Sequence, residues 1–367
     1  MSAHNKGNSE HSHIMGGMFG LEIDLRADSS SAVTKPPILA GPHLRLITAR
    51  SAFTLLARTL RSATVWLPSY LCGGVLDAFV ASGTRINFYA VGEDLRISND
   101  AWVAKVQAGD MVVFIDYFGF DASDPYGKQA KERGAWVVED ACQAMLNFHF
   151  SEYADYVIAS PRKFIGVPDG GILLAQNGAS LPSGNLPAPP PEWWLYALKA
   201  SQLRAEFDRH GGDRQWFELF RKTDPHGPVE PTRMSELSSL LLDHANDYES
   251  IAASRRRNFS QLAAALPEFA MFRELPNEVV PLGFPVRVRE RDSIAQGLHG
   301  HEIYPPVHWP IQDIVPKEFQ ASHRLAQEIM TLPCDQRYSS EDLNRLVQTF
   351  KSIHPLPIFP ALPAIHR

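Results

Sequence analysis

Residues 135–143 read AWVVEDACQ, a short apolar run that ends in two carboxylates. Runs of the same β-rich kind alternate with helix- or turn-rich segments between residues 64 and 175, at 65–67, 86–89 and 111–115. Such alternation is typical of a mainly parallel sheet with crossover helices. The sequence therefore predicts an α/β fold, and open sheets of this kind bind ligands beyond the carboxyl ends of their strands.

A segment rich in proline, glycine and serine, residues 180–191, interrupts this pattern and predicts a loop. The elements predicted after it are helices at 192–209 and between 233 and 265, a strand within 279–288, and helices at 292–298 and 340–353. We expect a disordered tail (1–15), a large domain that contains the sheet (16–235) and a smaller C-terminal α+β domain (236–367).

The chain has 367 residues, 44% hydrophobic and 21% charged, which is ordinary for a globular protein that buries a large core. Its net charge of −6, without a long basic run, gives no reason to expect nucleic acid or an anionic membrane as a partner. No apolar stretch approaches the roughly 18 residues of a membrane-spanning helix, and the N-terminus is not signal-like, so we expect a soluble, cytoplasmic protein. The widely spaced cysteines and the N-terminal histidines predict neither a disulfide framework nor a metal site.

Two polar residues at predicted strand ends carry a specific chemistry. Asp140 ends the run quoted above, and Lys163 follows one strand later in ASPRKFIGVPDGG, residues 159–171. Pyridoxal phosphate (PLP) chemistry requires a lysine that forms a Schiff base and a carboxylate that keeps the pyridine ring protonated. Ser160 can face the same way as the lysine and donate to the cofactor phosphate. A lone lysine is usually a solvated charge and a lone aspartate a cap, so only the ordered combination predicts a PLP site.

This combination resembles the DegT/StrS-type sugar aminotransferases, which have the aspartate aminotransferase fold (fold type I). The resemblance spans nearly the whole chain. The chain is most similar to a divergent branch of the family that is found among surface-polysaccharide genes. The further segments that carry it are GGMFGLE (16–22), LPSYLC (67–72), DYFG (116–119), RRNF (256–259), YPPVHWP (304–310) and LPCDQRY (332–338).

The resemblance implies a role for individual residues, within a large domain that binds PLP. Lys163 is implied as the catalytic Schiff-base lysine, Asp140 as the partner of the ring nitrogen, and Gln143 as a neighbour of the phenolic oxygen. Arg50 and Ser51 match the turn that opens the first long helix, whose backbone N–H groups bind the phosphate.

The resemblance also implies the reaction and the partners. The implied amino donor is glutamate or a similar amino acid, and the implied acceptor is a nucleotide-linked keto sugar. The two substrates bind one after the other in a ping-pong reaction. Lys163 is both the anchor of the cofactor and the base that moves the proton. In this fold the cofactor pocket lies at a subunit boundary, so a homodimer is expected.

Three positions depart from the family pattern. Where the family has a phosphate-binding serine five residues before the lysine, this chain has Ile158, so Ser160 must take over that role. Where the family has an aromatic residue that stacks on the pyridine ring, this chain has Cys72, and Tyr70 is the candidate substitute. Where the family has an asparagine that reaches the neighbouring subunit's phosphate, this chain has Pro231. These departures predict weaker cofactor binding than in typical members.

Other candidate residues have two interpretations each. His308, in a proline-rich turn, either approaches the substrate or hydrogen-bonds a loop carbonyl. Tyr117 either lines the pocket or packs in the core. Residues 335–338 are expected to cap and brace the final helix, with a substrate role as the alternative.

Two other functions compete with transamination. One is a different PLP reaction on a sugar, such as dehydration; branches of the family with that activity replace the lysine, so Lys163 argues against it. The other is a catalytically silent homologue that binds PLP or a partner without turnover, which the three departures motivate.

Overall fold

The computed structural model describes residues 14–23, 34–121, 125–244 and 247–358. Most of the expected disordered tail, residues 1–13, lies outside the described residues. Met15, at its end, is buried and pairs with Ile303.

The secondary structure follows the alternation seen in the sequence. Within the described residues, the strands are β1 Met15–Gly16, β2 His43–Leu46, β3 Thr64–Pro68, β4 Arg85–Tyr89, β5 Met111–Ile115, β6 Trp136–Asp140, β7 Tyr156–Ala159, β8 Gly171–Ala175, β9 Phe284–Arg287, β10 Ile303–Tyr304 and β11 Ile329–Leu332. The helices are α1 Pro37–Ala40, α2 Ala49–Leu60, α3 Gly73–Ser82, α4 Tyr126–Glu132, α5 Pro191–His210, α6 Gln215–Thr223, α7 Glu236–His244, α8 Tyr248–Ala265, α9 Arg291–His299, α10 Gln320–Glu328 and α11 Ser340–Ser352.

A seven-stranded sheet forms the centre of the fold, in the order β2-β8-β7-β6-β5-β3-β4. Strand β8 is antiparallel to both of its neighbours, and all the other pairs are parallel. The predicted mainly parallel sheet is therefore confirmed. Strands β3, β5, β7 and β8 are buried along their whole length, as expected of a sheet that is covered on both faces.

The topology brings several chain segments to one edge of the sheet. Strands β2, β3, β5, β6 and β7 run in the same direction, so their carboxyl ends meet at that edge. Helix α2 begins there, two residues after β2, and its first turn is fixed by a capping box between Thr48 and Ser51. Helix α3 begins at the same edge, after β3 and Cys72. Residues that follow these strands therefore share one ligand-binding position.

The C-terminal part of the chain forms a second, smaller apolar cluster. It surrounds the antiparallel pair β9–β11 and includes Phe259, Leu298, Leu346 and Phe350. The strand predicted within 279–288 is confined to β9, the four residues that pair with β11. Buried residues between 309 and 329 belong to the larger cluster around the sheet. The domain boundary after residue 235 stays a prediction.

The described helices range from the four residues of α1 to the 20 residues of α5. Across the described ranges, no helix is both long and apolar enough to span a bilayer.

Candidate functional site

A cavity of about 320 Å³ lies at the edge of the sheet where the parallel strands end. Its floor includes Ile115 and Asp140, the last residues of β5 and β6, and Ser160, which follows β7. The first residues of α2 and the N-terminal turn of α3 form other walls. Its volume lies at the lower end of the range for small-molecule and cofactor sites.

Most of the sequence-predicted site residues meet in this cavity. Those that line it are Arg50, Cys72, Asp140, Gln143, Ser160, Lys163 and His308. Three others, Ser51, Tyr70 and Tyr117, do not line it. Sequence positions as far apart as 50 and 308 therefore converge on one site.

Asp140 is buried at the end of β6, between Ile115 of β5 and Ile158 of β7. One of its carboxylate oxygens accepts a hydrogen bond of 3.0 Å from the amide of Cys142. Burial raises the pKa of Asp140, while the positive charge of Lys163 opposes that rise. The carboxylate is thus held in an apolar setting where a cationic neighbour stabilises its charged form.

Lys163 ends a short 3-10 turn, Pro161–Lys163, directly after β7. The turn is closed by a hydrogen bond of 3.2 Å from the amide of Lys163 to the carbonyl of Ser160. Among the residues that the structure describes, the amine of Lys163 has no hydrogen bond and no ion pair, and the side chain is half-buried. It is a cation facing a cavity without a fixed partner.

Gln143 contributes an unused donor to the cavity. Its side-chain oxygen accepts a hydrogen bond of 2.7 Å from the amide of Phe118, which fixes the orientation of the side chain. Its Nε2 is buried, and no partner for it lies within the described part of the chain. Because a buried N–H without a partner is costly, this group is suited to donate to a bound ligand.

Two arginines lie beside the start of α2. The guanidinium of Arg50 donates to three carbonyls of the loop that follows α6, those of Asp224, Pro225 and Gly227. Arg162, next to the lysine, donates to the carboxylate of Asp224 at 3.0 Å. Both arginines and Asp224 line the cavity. Arg162 was not among the site residues predicted from the sequence, although it lies inside the quoted lysine segment.

His308 lines the cavity from the C-terminal part of the chain. Its Nδ1 lies 2.9 Å from the hydroxyl oxygen of Thr331. Burial, together with the positive charge of Lys163, lowers the pKa of His308 to about 3. The imidazole is therefore neutral at physiological pH and can act as a hydrogen-bonding group.

Tyr70 and Tyr117 lie behind the cavity wall. Tyr70 is fully buried; its hydroxyl donates to the carbonyl of His308, and its ring centroid is 5.5 Å from that of Trp309. The hydroxyl of Tyr117 donates to the carbonyl of Tyr70 at 2.5 Å. The two tyrosines thus support Trp309, which itself lines the cavity and which the sequence analysis did not single out. Its only sequence signal is its place in the YPPVHWP segment.

Residues 335–338 brace the lysine segment rather than cap the final helix. The side-chain amide of Gln336 donates to the carbonyl of Phe164 at 2.7 Å, and Arg255 donates to Gln336 at 2.9 Å. Helix α11 is capped instead by Ser339, which forms a capping box with Asp342. The expectation that this run caps α11 is therefore corrected by one residue.

A second cavity, of about 470 Å³, lies on the other side of β6. It is lined by Glu139 and by Asp116, both buried and adjacent to one another. Burial raises the pKa of Glu139 to about 7, and burial together with the charge of Glu139 raises the pKa of Asp116. Its described lining carries six carboxyl side chains, including those of Glu139 and Asp116, against the single guanidinium of Arg96. Its charge is therefore opposite to that of the first cavity.

No protein-family model and no curated protein matches the sequence. Solved structures do match. The sugar aminotransferase CalS13 from Micromonospora echinospora is 15% identical, with 84% of this chain and 87% of that chain covered and a TM-score of 0.58. PseC from Helicobacter pylori, an aminotransferase involved in the biosynthesis of pseudoaminic acid, is 14% identical over 86% and 88% of the two chains, with a TM-score of 0.63.

A third similar structure contains a cofactor. NtdA from Bacillus subtilis with bound PMP is 15% identical over 85% of this chain and 73% of that chain, with a TM-score of 0.61. At such low identity these likenesses establish a shared fold. The chain therefore has the fold of PLP-dependent transferases of fold type I, as the sequence resemblance predicts.

Proposed function

We propose that this protein is a PLP-dependent aminotransferase of the DegT/StrS type. The observation that carries the proposal is the unpaired amine of Lys163 in one cavity with the buried carboxylate of Asp140. These are the two groups that PLP chemistry requires of a protein. The fold shared with aminotransferases supports the same conclusion.

The donor set of the cavity fits PLP. Lys163 would attach the cofactor through its aldehyde, and Asp140 would hold the protonated ring nitrogen. The unused Nε2 of Gln143 would donate to the phenolic oxygen. Ser160 and the first backbone amides of α2 would bind the phosphate. When bound, PLP supplies an electron sink that stabilises negative charge on the carbon of the amino substrate.

The protein's own side chains provide binding, charge and proton transfer. Asp140, in its apolar setting, favours a cationic partner because burial disfavours an isolated carboxylate. The amine of Lys163 would be the base that takes and returns the substrate proton. His308 and Trp309 close the cavity toward the C-terminal part of the chain, and the neutral imidazole leaves the positive charge of the site to Lys163 and the arginines.

The proposed substrates are an amino acid such as glutamate as donor and a nucleotide-linked keto sugar as acceptor. Sugar substrates are supported by the descriptions of the structural relatives, one of which is named as a sugar aminotransferase. The proposed setting is surface-polysaccharide biosynthesis in the cytoplasm, a compartment consistent with the free cysteines Cys72, Cys142 and Cys334.

We also propose that the protein is a homodimer with the cofactor site near the subunit boundary. Exposed large apolar side chains on α5, α6 and α7 support an interface there: Leu195, Tyr196, Phe217 and Leu240. Sedimentation at micromolar concentration should give twice the mass of the chain. A monomer at that concentration would contradict the dimer.

A spectroscopic experiment tests the proposed activity. Purified protein is incubated with PLP, freed of excess cofactor and examined for the visible absorbance of bound PLP. We expect added glutamate to shift this absorbance, and a suitable nucleotide-linked keto sugar to restore it. Protein that binds PLP but does not respond to any amino acid would favour the silent homologue. Protein that gains no absorbance at all would contradict the proposed function.

A further inference from the structure

Three cationic side chains line the cavity, and they differ in how many of their hydrogen-bond donors are already engaged. Arg50 donates both terminal nitrogens of its guanidinium to loop carbonyls. Lys163 has a free amine but is needed for the aldehyde of the proposed cofactor. Arg162 makes one hydrogen bond, from Nη2 to the Asp224 carboxylate, and its Nε is buried without a partner in the described part of the chain. Arg162 is therefore the cation with donors left for an anion.

The partner that Arg162 has is a weak one. The Asp224 side chain is 41% exposed, and that of Arg162 is 23% exposed. A partly exposed ion pair of this kind contributes little, because water and salt screen it. A dianion inside the cavity would compete well for the guanidinium, since phosphate offers two or more acceptor oxygens to the planar fork of an arginine.

In the segment just before Arg162, residues 158–161, Ser160 is the one residue with a polar side chain. Ile158, two residues before Ser160, is fully buried in β7 and has no polar side-chain atom. Ser160 can donate a single hydrogen bond. Arg162 and Lys163 are consecutive residues of one 3-10 turn, and both line the cavity. PLP carries its aldehyde and its phosphate arm on adjacent ring carbons, so a cation that binds the phosphate must line the same cavity as the lysine, as Arg162 does.

We propose that Arg162 binds the phosphate group of the cofactor and, together with Ser160, is its main side-chain ligand. This inference rests on the proposed function. It assigns to this chain a cationic phosphate ligand immediately before the lysine. The guanidinium would take over the role of the serine and the asparagine that the family pattern has at the positions of Ile158 and Pro231.

The experiment measures the dissociation constants of PLP and of pyridoxal, which lacks the phosphate, by absorbance and fluorescence titration. The variants are Arg162→Met, Arg162→Lys and the matched control Arg209→Met, at an exposed position of α5. We expect Arg162→Met to weaken PLP by about 10- to 100-fold and to leave pyridoxal within about twofold. Arg162→Lys should recover part of the affinity for PLP, and Arg209→Met should behave as the unmodified protein.

Other results would overturn the assignment in distinguishable ways. If Arg162→Met leaves PLP affinity unchanged and instead raises the KM of the amino donor, the guanidinium binds the substrate carboxylate. If PLP and pyridoxal weaken equally, the residue supports the cavity without recognising phosphate. If circular dichroism shows that Arg162→Met does not fold, Arg162→Lys is used instead. The inference is overturned if this variant binds PLP as tightly as the unmodified protein and prefers PLP over pyridoxal to the same extent. Failure of the unmodified protein to bind PLP would remove the proposed function itself.

Discussion

Glu139 and Asp140 are adjacent in β6, yet they line two different cavities. Successive side chains of a strand point to opposite faces of the sheet, so the two carboxylates are separated by the sheet itself. Glu139 shares its cavity with Asp116, and burial of this acidic pair favours protonation. Asp140 shares its cavity with Lys163, whose charge favours ionisation. The comparison teaches that the counter-charge, and not the carboxylate alone, distinguishes a cofactor site from a buried acid.

The largest effect on activity is expected from removal of the positive charge of Lys163. Lys163→Ala deletes the amine that anchors PLP and moves the substrate proton. Transaminase activity should fall by about 1,000-fold or more, since general acid–base catalysis alone contributes about 100- to 10,000-fold. A coupled assay with saturating PLP measures the loss. Lys128→Ala, at an exposed lysine of α4, is the control and should retain full activity. Comparable activity in both variants would contradict the assignment of Lys163.

The second prediction compares the two carboxylates directly. Asp140→Asn should lower activity by about 100-fold, because an amide lacks the negative charge that would keep the ring nitrogen of the proposed cofactor protonated. Glu139→Gln should change activity by less than about threefold, because it faces the other cavity. Steady-state kinetics on both variants decide the matter. Equal losses would mean that the two sides of β6 do not differ in function.

The third prediction concerns the acidic cavity and stability. Burial raises the pKa of Glu139 from its ordinary value of 4.5 to about 7, so the folded protein binds more protons than the unfolded chain in that window. The free energy of unfolding should therefore fall as pH rises from about 4.5 to about 7, by roughly 1–3 kcal/mol.

Glu139→Gln should make this pH dependence shallower, since an amide cannot titrate. Urea unfolding at several pH values measures the slope. Glu132→Gln, at an exposed residue of α4, serves as the matched control and should keep the slope of the unmodified protein. A steeper slope in Glu139→Gln would show that the buried pair is ionised in the folded state.

The smallest effect is expected at His308. Its pKa is lowered to about 3, so it stays neutral from pH 5 to pH 8 and cannot produce an inflection there. His308→Gln keeps a hydrogen-bonding group opposite Thr331. Activity should fall by less than about tenfold, and the pH profile should keep its shape. An inflection between pH 5 and pH 8 that disappears in this variant would contradict the prediction.

The sheet was the most predictable part of the structure. Its strands are short, apolar and bounded by turn residues, and helices predicted at 192–209 and 340–353 match α5 and α11 within a residue or two. These elements follow from local periodicity, which one sequence contains. The convergence of Asp140 and Lys163 was also predictable, because both follow parallel strands whose carboxyl ends meet at one edge.

The direction of side chains beyond the strand ends was not predictable. Tyr70 and Cys72 follow the same strand two residues apart, but only Cys72 lines the cavity. The backbone of the loop decides which of them turns inward, and loops have no fixed periodicity. Arg162 and Trp309 were missed for the same reason. Their place in the site depends on contacts with Asp224 and Tyr70, which are distant in the sequence.

The proposed function depends on which amine holds the cofactor. The most direct test is to incubate the protein with PLP, reduce it with borohydride, digest it and locate the modified lysine by mass spectrometry. We predict a single stoichiometric label on Lys163 that Asp140→Asn weakens and Glu139→Gln leaves intact. A label on other lysines with Lys163 unmodified would contradict the central claim.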